Sequence, residues 1–369
     1  MTAPKLRATS HSLQYVVYFG VLCEEGLTPY EYQAKRPEVQ AKGEVVATIK
    51  DVAREAGLTV TTVSRVLNNR GYISEATRKK VFRVMAELDY QPNEIARSLY
   101  RRSSKMLGLI VPTVSHPFFA ELSSSVEQYA YAAGYKIVLC NSHLDQEKER
   151  EYVDMLKRHK VDGIIMGSHT LRVDEYENLN MPIVTIDRQI SDSIPSLSSD
   201  NFEGGRLAAK LLLSKGCKKI AYICGNLKLE LLANRRYDAF VQEIERAGVP
   251  NVVVQTNIDV FDTTQYEALV NALFSEHPGT DGVFASDLKA ARVIQACVRL
   301  GKRVPGDVRV VGYDDVKLAS LLVPPLTTIR QPIDEMAQHL VQLILRQIAG
   351  ERVPMKTVLP VTVVERQST

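Results

Sequence analysis

The sequence predicts an α/β protein in two parts: a small all-α helix-turn-helix headpiece, then a two-lobed body built on parallel sheets. Three observations carry this. Residues 47–68, ATIKDVAREAGLTVTTVSRVLN, read as two short helices joined at a glycine. Basic residues concentrate in the window around them. From Met106 onward, short apolar runs alternate with helical stretches, the pattern of parallel strands covered on both faces by helices.

The first helix is expected from Ile49 to Ala56, with Thr48 as its N-cap. Gly57 follows where a sharp turn needs positive φ. Thr59 caps a second helix carrying Thr61, Thr62, Ser64, Arg65 and Asn68. Val52, Ala53, Ala56, Val63, Val66 and Leu67 supply the apolar contacts between the two, and the small Ala53 permits close approach. Ser74 and Thr77 precede RKKVFRVMAEL, a third helix in which Val81, Val84, Met85 and Leu88 recur at helical spacing. Pro92 interrupts, Asn93 recaps, and a short segment runs from Glu94 to Arg101.

In the body, strands are expected at 106–112, 135–140, 163–166 and 182–186, with helices at 118–133 and 146–158 between them. A second set follows. It comprises helices at 204–214, 235–247, 264–276 and 290–300, with strands at 220–224, 252–256, 282–285, 308–312 and 327–330. In open sheets of this kind, ligands bind beyond the carboxyl ends of the strands.

Charge sharpens the division. The chain carries a net +3, but residues 46–105 hold twelve Lys or Arg against six Asp or Glu. Residues 1–45 hold five of each, so the remainder is acidic. A basic module on an acidic body is the electrostatic footprint of phosphate binding. The five cysteines show no paired spacing and read as core or incidental thiols in a reducing cytoplasm. The seven histidines lack metal-ligand spacing, and no apolar run is long enough to span a bilayer. No Gly-rich phosphate loop or nucleophile elbow points to an enzyme. A sugar-binding transport protein is a further alternative, one that would need a signal peptide and no helix-turn-helix.

Short polar side chains at the start of the second helix suit a helix that reads DNA in the major groove. Val60, Thr61 and Arg65 are the candidates for base edges, because Arg pairs bidentately with guanine and Val or Thr methyls meet thymine methyls. Thr48, Thr59, Thr62, Ser64, Asn68, Ser74, Thr77, Tyr90 and Asn93 are candidates for the phosphates, and Ser74 and Thr77 suit a pure capping role equally well.

TIKDVAREAG, TVSRVLN, MAELDYQPNEIARSL, GLIVP, HPFFAEL, VDGII, SSDNFEGG, VVGYDD and LTTIRQP together resemble the LacI family of bacterial repressors, across residues 46–369. The resemblance implies a headpiece at 46–91, a hinge helix at 92–104 and a periplasmic-binding-protein-like effector and dimerisation domain at 105–369. It implies that residues 1–45 are an extension ahead of the true start, with Val46 read as methionine. It further implies a homodimer on a palindromic operator in double-stranded DNA. Arg97 then joins the DNA contacts, and Leu99 is the apolar wedge that opens a central base step in the minor groove.

In the body, His116, Phe118, Phe119, Asp187, Arg188, Arg236, Asp287, Asp314 and Gln331 all fall just after expected strands or at helix starts. Paired carboxylate and guanidinium groups grip vicinal hydroxyls, and Phe rings cover the apolar face of a sugar. Each has a plainer alternative, Phe118 as helix core and Asp187–Arg188 as an exposed pair. In sugar-binding relatives, an Asp after this strand, the helix-opening Arg and an Asn-Asp pair contact ligand; here Ser286 precedes Asp287 where Asn is common. The resemblance implies a small sugar or sugar phosphate as effector and no cofactor. HPFF and the Asp-Arg pair favour ribose, while EKEREYVDML and SSDNFEGG favour the sucrose or fructose branch. A catabolite-control-type regulator answering to a phosphorylated carrier protein is the alternative within the family.

Overall fold

A computed structural model describes residues 47–91, 103–168, 170–227, 231–256 and 263–369. The expected extension and the sites at Asn93, Arg97 and Leu99 lie outside the described residues. The chain divides into two compact units, residues 1–92 and 93–369.

In the first unit three helices follow in order: α1 (Ile49–Glu55), α2 (Val60–Leu67) and α3 (Glu75–Glu87). Each start is chemically marked. The Asp51 carboxylate accepts from both the N–H and the hydroxyl of Thr48, and Arg54 pairs with it at 2.6 Å. Thr59 Oγ1 accepts from the Thr62 N–H at 3.1 Å, and Ser74 Oγ from the Thr77 N–H at 3.2 Å. Gly57 takes φ +60°, which lets α1 end and the chain reverse. Val52, Ala53, Ala56, Val63, Val66, Val81 and Val84 are all buried in one small core. α3 begins earlier than Thr77, because Ser74 rather than Thr77 supplies the cap.

The body begins with β1 (Met106–Val111), α4 (Pro117–Ala132), β2 (Lys136–Asn141), α5 (Gln146–Arg158), β3 (Gly163–Met166), α6 (Val173–Glu177), β4 (Ile183–Ile186) and β5 (Ser196–Ser199). It continues with α7 (Asn201–Ser214), β6 (Ile220–Cys224), a 3-10 turn at Leu232–Asn234, α8 (Arg235–Arg246) and β7 (Asn251–Gln255). Next come α9 (Thr263–Glu276), β8 (Gly282–Ala285), α10 (Asp287–Arg299), β9 (Arg309–Asp314), α11 (Lys317–Leu321) and β10 (Thr327–Arg330). The last elements are α12 (Ile333–Ile348), β11 (Lys356–Leu359) and β12 (Thr362–Val364).

Two six-stranded sheets result, ordered β11-β5-β4-β3-β1-β2 and β12-β10-β9-β8-β6-β7. Every pairing is parallel except β10 with β12. The chain therefore crosses between lobes three times: after β5, after β10 and after β11. β5, β11 and β12 are absent from the expected strands for a physical reason. SLSS is buried but polar, so it shows no apolar run, and the two late strands are short sheet-edge returns. α4 and α12 pack one face of the first sheet around Leu122, Met336 and Leu340, and α5 and α6 cover the other around Leu156 and Tyr176.

The lobes touch across their facing ends. The Leu232 N–H donates to the Asp187 carbonyl at 2.9 Å, and the Lys317 N–H to Glu121 Oε1 at 2.8 Å.

Candidate functional site

On α2 the candidate base-reading groups point outward. Val60 is 40% exposed, and Thr61 and Arg65 are exposed. The Arg65 guanidinium makes no ion pair or hydrogen bond with a described residue, whereas Val63 and Val66 on the opposite face are fully packed. Thr62 and Thr59 share a 2.9 Å hydroxyl contact, and Asn68 Nδ2 donates to the Ser64 carbonyl at 2.9 Å. Ser74 and Thr77 are occupied with each other at the start of α3. Tyr90 packs against the helical core. Tyr72, outside the expected contacts, is 99% exposed in the turn before α3. Its one signal is an aromatic residue beside Gly71 in a basic window.

In the body the structure gathers a polar cluster where the carboxyl ends of both sheets meet. Arg236 is the second residue of α8 and donates from Nε to Asn201 Oδ1. Asn201 Nδ2 donates to Asp187 Oδ1 at 3.2 Å. The Arg236 guanidinium lies 3.7 Å from the Tyr313 ring centroid, a cation–π contact in a buried place. A second string runs beside the first. Ser199 Oγ donates to Gln331 Oε1 at 2.6 Å, and Gln331 Nε2 donates to Asp314 Oδ1 at 2.7 Å.

Two adjacent glycines make this packing possible. A Cβ on Gly205 would lie 2.1 Å from the Arg236 carbonyl oxygen, and one on Gly204 would lie 2.6 Å from the Tyr313 ring. Backbone conformation is unusual here too: Asp187 has φ +53°, Asp314 φ +119° and Asp315 φ +56°.

The electrostatics follow from burial among like and unlike charges. Desolvation raises the Asp187 carboxyl, against the pull of Arg236 and Asn201. Asp314 is pushed up to about 7, chiefly by burial. Lys289 is lowered to about 8 by burial, and it donates to Thr256 Oγ1 at 3.2 Å. His116, at the N-cap of α4, is lowered to about 4 by burial and by the charges of Lys289 and Arg236. Its Nδ1 accepts the Phe118 N–H at 3.3 Å, as a neutral ring can. The charge of Lys289 thus reaches His116. Nothing in the local sequence pattern of Lys289 separates it from a solvated helix lysine.

Not every expected residue comes to the cluster. Phe118 is 5% exposed and belongs to the core, while Phe119 remains partly open, edge-on to His116 at 5.9 Å between ring centroids. Asp287 is 1% exposed, and both its oxygens are used by its own chain, one by Thr328 Oγ1 at 2.6 Å and the other by the Val316 N–H at 2.9 Å. The charge of Arg188 reaches Tyr176. A separate hollow of about 350 Å³ is lined by Tyr176, Met181, Pro182, Ile194 and Gln347. It lies at the amino ends of β4 and β5, away from this cluster.

Among the described residues no group of three His, Cys, Asp or Glu could hold a metal, and no helix is long and apolar enough to cross a membrane. Cys140, Cys217, Cys224 and Cys297 are buried free thiols, each raised to about 11 by desolvation.

Residues 48–93 match the bacterial regulatory proteins of the lacI family, and residues 209–369 match a periplasmic binding protein-like domain. The ribose operon repressor of Halalkalibacterium halodurans is 42% identical over 328 residues, 88% of this chain and 97% of the relative. A periplasmic binding protein/LacI regulator from Alkaliphilus metalliredigens, solved with D-xylulofuranose, is 33% identical with a TM-score of 0.64, over 72% of this chain and 99% of that one. The lac repressor dimer, solved with operator and the anti-inducer ONPF, is 27% identical with a TM-score of 0.76, over 87% and 98%. The chain belongs to the lacI family of bacterial regulatory proteins. It is a DNA-binding transcriptional regulator, not an enzyme.

Proposed function

We propose that this lacI-family regulator is a homodimeric repressor of a sugar-utilisation operon in the bacterial cytoplasm, controlled by a small sugar held between its lobes. The observation that carries the reading is the half-buried string Asp187–Asn201–Arg236, with Tyr313 under the guanidinium. A carboxylate, an amide and a guanidinium side by side offer acceptors and donors at the spacing of neighbouring hydroxyls. Phe119 supplies an apolar surface for the ring carbons. A furanose-sized effector fits this reading, given that one relative is a ribose operon repressor and another was solved with a pentulofuranose.

Arg65, Thr61 and Val60 carry base recognition, and Thr48, Thr59, Thr62, Ser64, Asn68, Ser74, Thr77 and Tyr90 set register on the phosphates, with Asn93, Arg97 and Leu99 completing the contact. The effector acts by its different affinity for two arrangements of the lobes. Titration calorimetry with D-ribose, D-fructose, sucrose and their phosphates, joined to gel shift on the DNA upstream of the gene, tests the whole reading. The expected result is binding of one of these sugars that changes operator affinity at least tenfold. Operator binding indifferent to all of them defeats the reading.

A further inference from the structure

The N-terminal lobe contains a buried carboxylate that the cleft cluster does not use. Glu149 on α5 has no exposed surface, and among the described residues no cation pairs with it. Hydroxyls surround it instead. Ser168 Oγ donates to Oε2 at 2.6 Å and Thr170 Oγ1 at 2.8 Å, the Tyr176 hydroxyl donates to Oε1, and the Thr170 N–H lies 3.3 Å from Oε2. A second tier holds the first. Ser142 Oγ bridges Ser168 Oγ at 2.7 Å and the Val111 carbonyl at 3.2 Å, and the Leu171 N–H donates to the Tyr176 hydroxyl at 3.1 Å. One carboxylate thereby joins α5, the carboxyl ends of β1 and β2, the turn from β3 to α6, and α6 itself.

Such a group is costly to bury, and an apolar side chain would fill the space more cheaply. What the carboxylate adds is direction: it fixes where the β3–α6 turn lies. That turn starts at Gly167, whose N–H donates to the Ile110 carbonyl at 2.7 Å. A Cβ there would lie 3.6 Å from the Phe119 ring, so the turn stands directly beside the aromatic wall of the cleft. Burial and Glu149 together push the Tyr176 phenol well up, and the charge of Arg188, next to Asp187, partly offsets them. The cluster thus reaches toward the cleft from two neighbouring strands.

We propose that Glu149 is a positioning residue for effector recognition: it holds the β3–α6 turn against Phe119, so that this wall of the cleft is formed before the effector arrives. The inference rests on the reading of the cleft as the effector site. Preformed walls gain affinity because little is left to order on binding.

The test compares Glu149→Leu and Glu149→Gln with Val153→Ala in the full chain. Val153 lies one turn further along α5, is 3% exposed and packs in the same apolar core, with no polar atom to hold the turn. D-ribose affinity by calorimetry, operator affinity by gel shift, melting temperature and hydrogen exchange at residues 167–171 are the readouts. Glu149→Leu should weaken ribose binding at least tenfold and strip protection from Gly167, Thr170 and Leu171, with operator affinity within twofold of the parent. Glu149→Gln, which keeps one acceptor oxygen, should fall between. Val153→Ala should leave ribose affinity within twofold despite a comparable fall in melting temperature. Parental ribose affinity in Glu149→Leu, or an equal loss in Val153→Ala, overturns the proposal. If the parent protein itself binds no sugar, the effector reading fails separately, and exchange decides: unchanged protection at the turn overturns the positioning role, and selective loss upholds it.

Discussion

The DNA-reading helix and the effector cleft use polar side chains in opposite ways. On α2, Thr61 and Arg65 are exposed, and the hydrogen bonds present there, such as that of the Thr62 N–H to Thr59, serve the helix itself. In the cleft, Asp187, Asn201, Arg236, Tyr313, Asp314 and Gln331 are bonded to one another and to Ser199. A surface that reads a polymer keeps its donors open and lets water satisfy them until contact. A cleft that grips a small polyol has little area to work with, so it gains by fixing its dipoles beforehand. The same side-chain chemistry is therefore cheap to remove in one place and disruptive in the other.

That contrast predicts a graded series of effects. The largest belongs to Asp187→Ala and Arg236→Ala. Each should lower sugar affinity about 100-fold or more, roughly 2.7 kcal/mol, because the surviving partners lie unsatisfied in a closed site. Operator affinity in gel shift should stay within about twofold, and the variants should be locked in the unliganded state. Sugar binding at the parental level in both would place the effector elsewhere.

Asp287→Ala comes next. It strands the Thr328 hydroxyl and the Val316 N–H, so the body should lose about 2–3 kcal/mol of stability, read as a lower midpoint in urea. Sugar affinity of the folded protein should change less than threefold. A loss of affinity with no loss of stability would return Asp287 to the effector contacts. Gly312 is tied to the same residue, since a Cβ there would lie 2.1 Å from Asp287 Oδ1.

Arg65→Ala should cost about 1–3 kcal/mol on operator and relax the preference at one base pair per half-site, with melting temperature and sugar affinity unmoved. Equal losses on operator and random DNA would make Arg65 a phosphate contact.

The smallest effect is a pH slope. His116 is lowered from its ordinary 6.5 to about 4. Between those values the unfolded chain binds the proton that the folded chain rejects, so this residue's cost is full at acid pH and disappears as pH rises through the window. His116→Asn should therefore flatten the rise in stability between about pH 4 and 6.5, by at most about 1.4 kcal/mol per pH unit. Parallel stability–pH curves for parent and variant would count against the neutral, buried imidazole.

The sequence by itself determined what depends on near neighbours along the chain. Thr59, Gly57, Ser74 and the valines of α1 to α3 act over three or four residues, so caps, turn and helical core could be read directly, and exposed groups on α2 followed from the periodicity. The alternation of strands and helices likewise announced parallel sheets. Tertiary structure decided what depends on approach between distant segments. Asn201, Lys289 and Tyr313 carry no local mark, yet strand order brings them to Arg236 and His116. It also decided which of two adjacent phenylalanines joins the core, and it committed both oxygens of Asp287 to Thr328 and Val316. A side chain's chemistry is written at its own position, but burial and charge environment are set by residues tens to more than a hundred positions away, which is why the cleft needed the fold to be seen.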